Sequence, residues 1–257
     1  MTRVRGWSGW DAYARFYDWE NARTFGRRDV TFWRRVATRE PGPVLELGCG
    51  TGRLLFPLAR VAGPVVGIDR SSAMLARARA RRARQRAAPR PGLVRGDITA
   101  LPCATSTFGL VIAPYGMLQS LLNNVDLDRA LLEIARVLRP GGVAGIDLVP
   151  ELPAWKEYHR RVRLRGRAAG GRTIALVETV RQDPRRRVTT FVEEFVVRGG
   201  KRAERQSFSL TFRTVEVREL MRRLTGVGLL PEAVLGDYRG GPLAADSETW
   251  LILARKR

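Results

Sequence analysis

The sequence predicts an α/β fold: a doubly wound, mostly parallel sheet with helices on both faces, carrying an inserted antiparallel β meander. Three observations support this. A short apolar run, Pro43-Val44-Leu45-Glu46-Leu47, passes directly into Gly48-Cys49-Gly50-Thr51-Gly52 and then into a helical pattern. Between residues 43 and 150 such runs alternate with helical periodicity, as repeated βαβ units require. From 160 to 214 the period shortens to two, broken by Gly170-Gly171, Asp183-Pro184 and Gly199-Gly200.

Composition sets the outer limits. A chain of 257 residues can bury a sizeable core as one domain with an insertion. No apolar run reaches the roughly 18 residues of a membrane span. The N-terminus has no apolar stretch of the kind a secretory signal needs, so a cytoplasmic location and no membrane partner are expected. Cys49 and Cys103 supply neither a disulfide framework nor metal-ligand spacing, so no metal is expected. The formal net charge is +21, and lysine stands only at 156, 201 and 256. The arginines are spread along the chain, which favours solvated faces over a nucleic-acid tract.

Residues 10–37 predict a helix rich in rings, with Tyr13, Phe16 and Tyr17 on one face and Phe25, Phe32 and Trp33 beyond. After the first strand, 53–62 predicts a helix with Leu54, Leu55 and Leu58 inward. Residues 64–69 form a second buried strand ending in Asp69, and Ser71 or Ser72 caps the next helix, which runs on through Arg77 to Arg86. A third strand ends near Arg95, before Gly96-Asp97-Ile98, and a fourth covers 108–113. Residues 126–138 form an amphipathic helix with Asp126 as its cap, stopped by Arg139-Pro140-Gly141-Gly142. The fifth strand is 143–149, the meander of about four strands is 160–214, and a helix at 215–224 leads to strands at 228–235 and 249–254.

Glu46-Leu47-Gly48-Cys49-Gly50-Thr51-Gly52 resembles motif I of the class I S-adenosylmethionine (SAM) dependent methyltransferases, in seven consecutive positions. Asp69 through Leu75, Gly96-Asp97-Ile98 and Leu138-Arg139-Pro140-Gly141-Gly142 resemble further motifs of that family. The small-molecule type is the nearest, similar to methyltransferase-domain families 25 and 11 and to sugar-amine and glycine-type N-methyltransferases. The resemblance implies a Rossmann-like sheet of strand order 3-2-1-4-5-7-6 and SAM as cofactor. It divides the chain into a helical lid at 1–40, a SAM-binding core at 41–152, a β insert over the acceptor at 153–214, and completion of the sheet at 215–257. It also implies the site. Glu46, Gly48, Cys49, Gly50 and Gly52 would meet the methionine part. Asp69, with Arg70, would take the ribose. Met74, Asp97 and Ile98 would meet the adenine, Ala113 would end the fourth strand beside the donor, and Tyr17, or less favourably Tyr13, would contact the SAM carboxylate or the acceptor.

Methyl transfer from a sulfonium needs positioning and exclusion of water more than acid–base groups. Tyr115, just past the fourth strand, is the expected orienting residue, with Tyr17 and His159, the one histidine, as further candidates. A small-molecule acceptor, an amine nitrogen, is the leading expectation, and the insert is of a kind that also builds homodimers. Two alternatives stand beside it: an RNA, DNA or protein acceptor steered by the basic surface, and a SAM-binding module without turnover. Ala113-Pro114-Tyr115 resembles a base-amine methyltransferase motif but lacks its first Asp or Asn, which counts against a nucleic acid.

Overall fold

The computed structural model describes residues 9–24, 28–85, 89–149, 157–199, 203–244, 246–247 and 249–257. Phe25, Arg86 and Gly200, each assigned to an element or turn from sequence, lie outside them. Seven strands build the main sheet: β1 (Val44–Leu47), β2 (Val65–Asp69), β3 (Gly92–Arg95), β4 (Phe108–Ala113), β5 (Leu138–Leu148), β10 (Leu229–Leu235) and β11 (Trp250–Lys256). Their order is β3-β2-β1-β4-β5-β11-β10. This is the expected 3-2-1-4-5-7-6, with the last strand in sequence lying antiparallel between β5 and β10. The turn after β1 therefore sits at the middle of the sheet, where strand order reverses and a crevice opens.

The sheet is buried on both faces, which explains why β4 is a continuous apolar run and β1 is apolar except for Glu46, with no alternation in either. One face packs against α5 (Asn124–Val137) and α6 (Val217–Gly226) through Leu127, Leu131, Ile134, Leu220 and Leu224. The other packs against α2 (Arg28–Arg39) and the short α3 (Leu55–Leu58), with Trp33 fully buried. Helix α4 (Ser72–Arg84) follows β2, and the Ser71 hydroxyl accepts the Met74 N–H at 3.1 Å as its cap.

The second sheet is an antiparallel meander in sequence order, β6 (Tyr158–Arg167), β7 (Thr173–Asp183), β8 (Val188–Arg198) and β9 (Glu204–Arg213). Helix α1 (Trp10–Thr24) lies between it and the main core. Phe16 stacks on Phe195 with ring centroids 4.2 Å apart, and Tyr13 meets Phe208 edge-on. The rings of α1 thus join two sheets instead of filling one core.

Several local expectations need correction. The ring-rich stretch 10–37 is two helices, α1 and α2, on different surfaces. The helix expected at 53–62 keeps α geometry only over Leu55–Leu58. Pro57 removes one backbone donor and the segment continues as turns. Helix α5 begins at Asn124, and its cap is Asn123, whose side chain accepts the Asp126 N–H at 2.9 Å. Asp126 lies in the first turn, where its charge still favours the helix start. Leu138 already pairs with Phe108, so Arg139–Gly142 forms an irregular strand entry and not a loop.

Candidate functional site

The glycine turn is shaped by backbone need. Gly48 and Gly52 have φ of +66° and +83°, a region that side chains with a Cβ enter at a cost. A Cβ on Gly52 would lie 2.5 Å from the Phe56 ring, and one on Gly48 would lie 2.7 Å from Met117 Cγ. At Gly50 the nearest group is the Tyr17 ring, 3.7 Å from where a Cβ would stand. Helix α1 therefore places Tyr17 directly over the turn.

Two acids of α1 hold it there. The Thr51 hydroxyl donates to Asp18 at 2.7 Å, and Arg77 Nε donates to the other Asp18 oxygen at 3.1 Å. The Ser71 hydroxyl donates to Asp11 at 2.5 Å, and the Ala73 N–H reaches the same oxygen at 3.1 Å. Asp18, next to Tyr17, thus ties the helix to the turn and to α4.

Asp69 ends β2 facing the turn. Its Oδ2 accepts the Gly50 N–H at 2.7 Å and its Oδ1 accepts the Ser71 N–H at 2.8 Å. Burial raises its pKa above the ordinary carboxylate value, against the lowering effect of those two bonds. Asp97 is held by the Arg70 guanidinium at 2.7 Å and by the Thr99 N–H and hydroxyl at 3.0 and 2.8 Å. Ile98 and Met74 are buried beside it, 6% and 2% exposed. Cys49 is buried as well, and desolvation pushes its thiol far above the ordinary range, so it is a small apolar filler.

Glu46 is the odd member. It is 3% exposed on a fully buried strand, and its Oε2 has no hydrogen-bond partner among the described residues. Burial raises its pKa to about 8, with Arg53 pulling the other way. Arg53 Nη2 stands 2.6 Å from Asp29 Oδ2, and its guanidinium lies 6.0 Å from the Tyr115 ring centroid. Tyr115 and Gly116 both have φ of +61°, a strained conformation for the tyrosine and an ordinary one for the glycine that follows it. That turn is pinned by Asp147 on β5, which accepts the Gly116 N–H and the Tyr238 hydroxyl, each at 2.9 Å. Desolvation pushes Asp147 up to about 6 and Tyr17 up to about 12. Tyr115 keeps 43% of its surface accessible, but that surface faces the walls of two cavities. The surrounding protein and Tyr17 hold its hydroxyl above the ordinary phenol value.

These groups meet in a cavity of about 1440 Å³. Glu46, Gly48, Cys49, Gly50 and Tyr17 line one part, and Asp69, Arg70, Met74, Asp97 and Ile98 another. Tyr115 divides it from a second cavity of about 650 Å³, whose lining includes Asp29, Asp147, Asp237 and Asp246. Three residues expected at the site do not line either cavity. Gly52 turns toward Phe56, Ala113 is buried in the sheet, and His159 is exposed on β6. Arg53 and Asp147 were not anticipated. Both carried a signal: an arginine directly after a glycine turn, and an acid inside an apolar strand.

Residues 44–142 match the model of a methyltransferase domain family. A demethylmenaquinone methyltransferase of Lactiplantibacillus plantarum is 42% identical over 128 residues, covering 46% of this chain and 52% of that protein. The chain spans about half the length of the first curated relatives it matches. A protein of Encephalitozoon cuniculi, provisionally named a methyltransferase, is 36% identical over 165 residues, covering 61% of this chain and 68% of the relative. Among solved structures, the sugar N-methyltransferase KedS8 from Streptoalloteichus superposes with a TM-score of 0.77 at 20% identity, over 100% of this chain and 98% of that one. At that identity the likeness concerns fold, and it includes the meander. Sheet order, glycine turn and family match agree: the chain belongs to the class I S-adenosylmethionine-dependent methyltransferases.

Proposed function

We propose that this protein transfers a methyl group to a small-molecule acceptor, an amine. The observation that carries the donor half is the unpartnered Oε2 of Glu46 in the wall of the glycine-turn cavity. A buried carboxylate oxygen without a donor is costly, and a ligand ammonium group would satisfy it. The close approach allowed at Gly48 and Gly50, the acid at the end of β2 and the acid after β3 suit the rest of the same molecule. SAM supplies, when bound, an electrophilic methyl on a sulfonium. Glu46 would hold its ammonium, Asp69 its ribose hydroxyls and Asp97 its adenine amine. Tyr17 covers the turn and excludes water, and Tyr115, at the division between the cavities, would orient the acceptor nitrogen.

The amine is favoured by local charge. In a chain of formal charge +21, the cavity beyond Tyr115 is lined by four aspartates and two arginines, Arg28 and Arg239. With Asp29 paired to Arg53, Asp147, Asp237 and Asp246 still outnumber Arg28 and Arg239, a small acidic excess that favours a cationic acceptor over a phosphate-bearing one. The relatives named for quinone methylation favour a second reading, an aromatic ring carbon as acceptor. Transfer of labelled methyl from SAM to a panel of primary and secondary amines, against a naphthoquinol panel, tests the choice. Label in the amine arm supports the first reading, and label in the quinol arm alone replaces it.

A further inference from the structure

Three glutamates meet where α1 lies on the meander, and methyl transfer uses none of them. Glu178 on β7 and Glu193 on β8 are directly paired across the strands and are 7% and 5% exposed. Glu20 on α1 joins the cluster. Like charges directly opposite on a sheet are destabilising, and burial enlarges the effect. The Tyr13 hydroxyl donates to Glu20, and the Tyr158 hydroxyl donates to Glu178. Arg163 on β6 stands 3.1 Å from Glu178, and Arg161 faces Tyr158. Tyr17 acts on Tyr13, while Tyr115 lies in the field of Glu20 and Glu193, with Arg53 opposing from the glycine turn. The Tyr13 side chain also hydrogen-bonds Glu193, but Oε2 of Glu193 has no hydrogen-bond partner among the described residues.

None of the three carboxylates lines either cavity, so protons reach them more readily than a ligand does. We propose that Glu20 and Glu193, set against Glu178 and its Arg163 partner, hold α1 on the meander only while they retain protons, so that rising pH loosens the helix that carries Tyr17 over the glycine turn. The docked state binds more protons than the released one, because burial and mutual repulsion raise Glu20 to about 6 and Glu193 well above its ordinary value. Docking is therefore strongest below the ordinary glutamate range and weakens as pH rises through about 6. Asp18 on Thr51 and Arg77, and Asp11 on Ser71, still tether α1 to the turn and α4, so the release loosens the helix on its meander side and frees Tyr17 to move over the donor cavity.

The test is hydrogen exchange of peptides covering residues 10–24, corrected for intrinsic rates, at about pH 5 and about pH 8. Wild-type protection in α1 is expected to fall by about tenfold or more across that range, since one pKa unit corresponds to tenfold. Glu193→Gln mimics the protonated form and should keep most of that protection at the higher pH. Glu20→Gln, on the helix side, makes the same test should the first variant fail to fold. Equal wild-type protection at both pH values would overturn the proposal, as would an unchanged loss in the variants. Parallel loss in α5 would mark general unfolding and would also count against it.

Discussion

The carboxylate of Asp69 accepts the backbone N–H of Gly50 at 2.7 Å, so the acid ending β2 and the middle of the glycine turn form one unit. Asp69→Ala should therefore do two things at once. It removes the group proposed for the ribose and leaves the Gly50 and Ser71 N–H groups without their acceptor. A stability loss of about 1–3 kcal/mol is expected from the orphaned donors. Calorimetry should show affinity for S-adenosylhomocysteine reduced by about tenfold or more, as loss of charge-assisted hydrogen bonds implies.

Burial pushes Glu46 up to about 8. Holding an ammonium requires its ionised form, so donor binding below that pH should release a proton from it. Calorimetry in buffers of different ionisation enthalpy, near neutral pH, should show greater proton release for wild type than for Glu46→Gln. Equal release would remove Glu46 from the donor site.

Substitution in the turn separates strain from contact. Gly48→Ala meets the flexible Met117 side chain, whereas Gly52→Ala meets the Phe56 ring. Both carry the positive-φ cost. The second should be the more destabilising. A cost of about 2 kcal/mol or more would lower Tm by several degrees, at about 2–4 °C per kcal/mol for a chain of this size class.

The Asp147 carboxyl is raised to about 6 in the folded state, so its ionisation opposes folding. Its folded-state contribution is fully present below the ordinary aspartate range and is lost as pH rises through about 6. Asp147→Asn keeps an acceptor for the Gly116 N–H and a polar partner for Tyr238. Thermal melts should show the variant more stable than wild type above that pH, with the difference shrinking in acid. A variant less stable at every pH would contradict the account of the Tyr115 turn.

The donor side was readable because it rests on local pattern. The glycines, Asp69 and Asp97 lie at strand ends whose positions follow from alternating apolar runs and helices, while the sheet order came from the family resemblance that those motifs carry. What was not readable depends on distant partners. Nothing near Tyr17 in sequence tells that Asp18 reaches Thr51, 33 residues on. The ring spacing of 10–37 could not show that Phe16 stacks on Phe195 of the meander while Phe32 packs on the main sheet. Nothing in the strand pattern singles out Glu178 and Glu193, and only strand register puts them side by side against a third acid. His159 had chemical type in its favour and no placement, and it stands on the open surface of β6.

The central claim is that the cavity around the glycine turn is a SAM site. Titrating purified protein with SAM, and separately with S-adenosylhomocysteine, by isothermal calorimetry tests it most directly. The account predicts saturable one-to-one binding of both that is weakened in Asp69→Ala. Absence of binding by the folded wild-type protein, or binding that Asp69→Ala leaves unchanged, would contradict it.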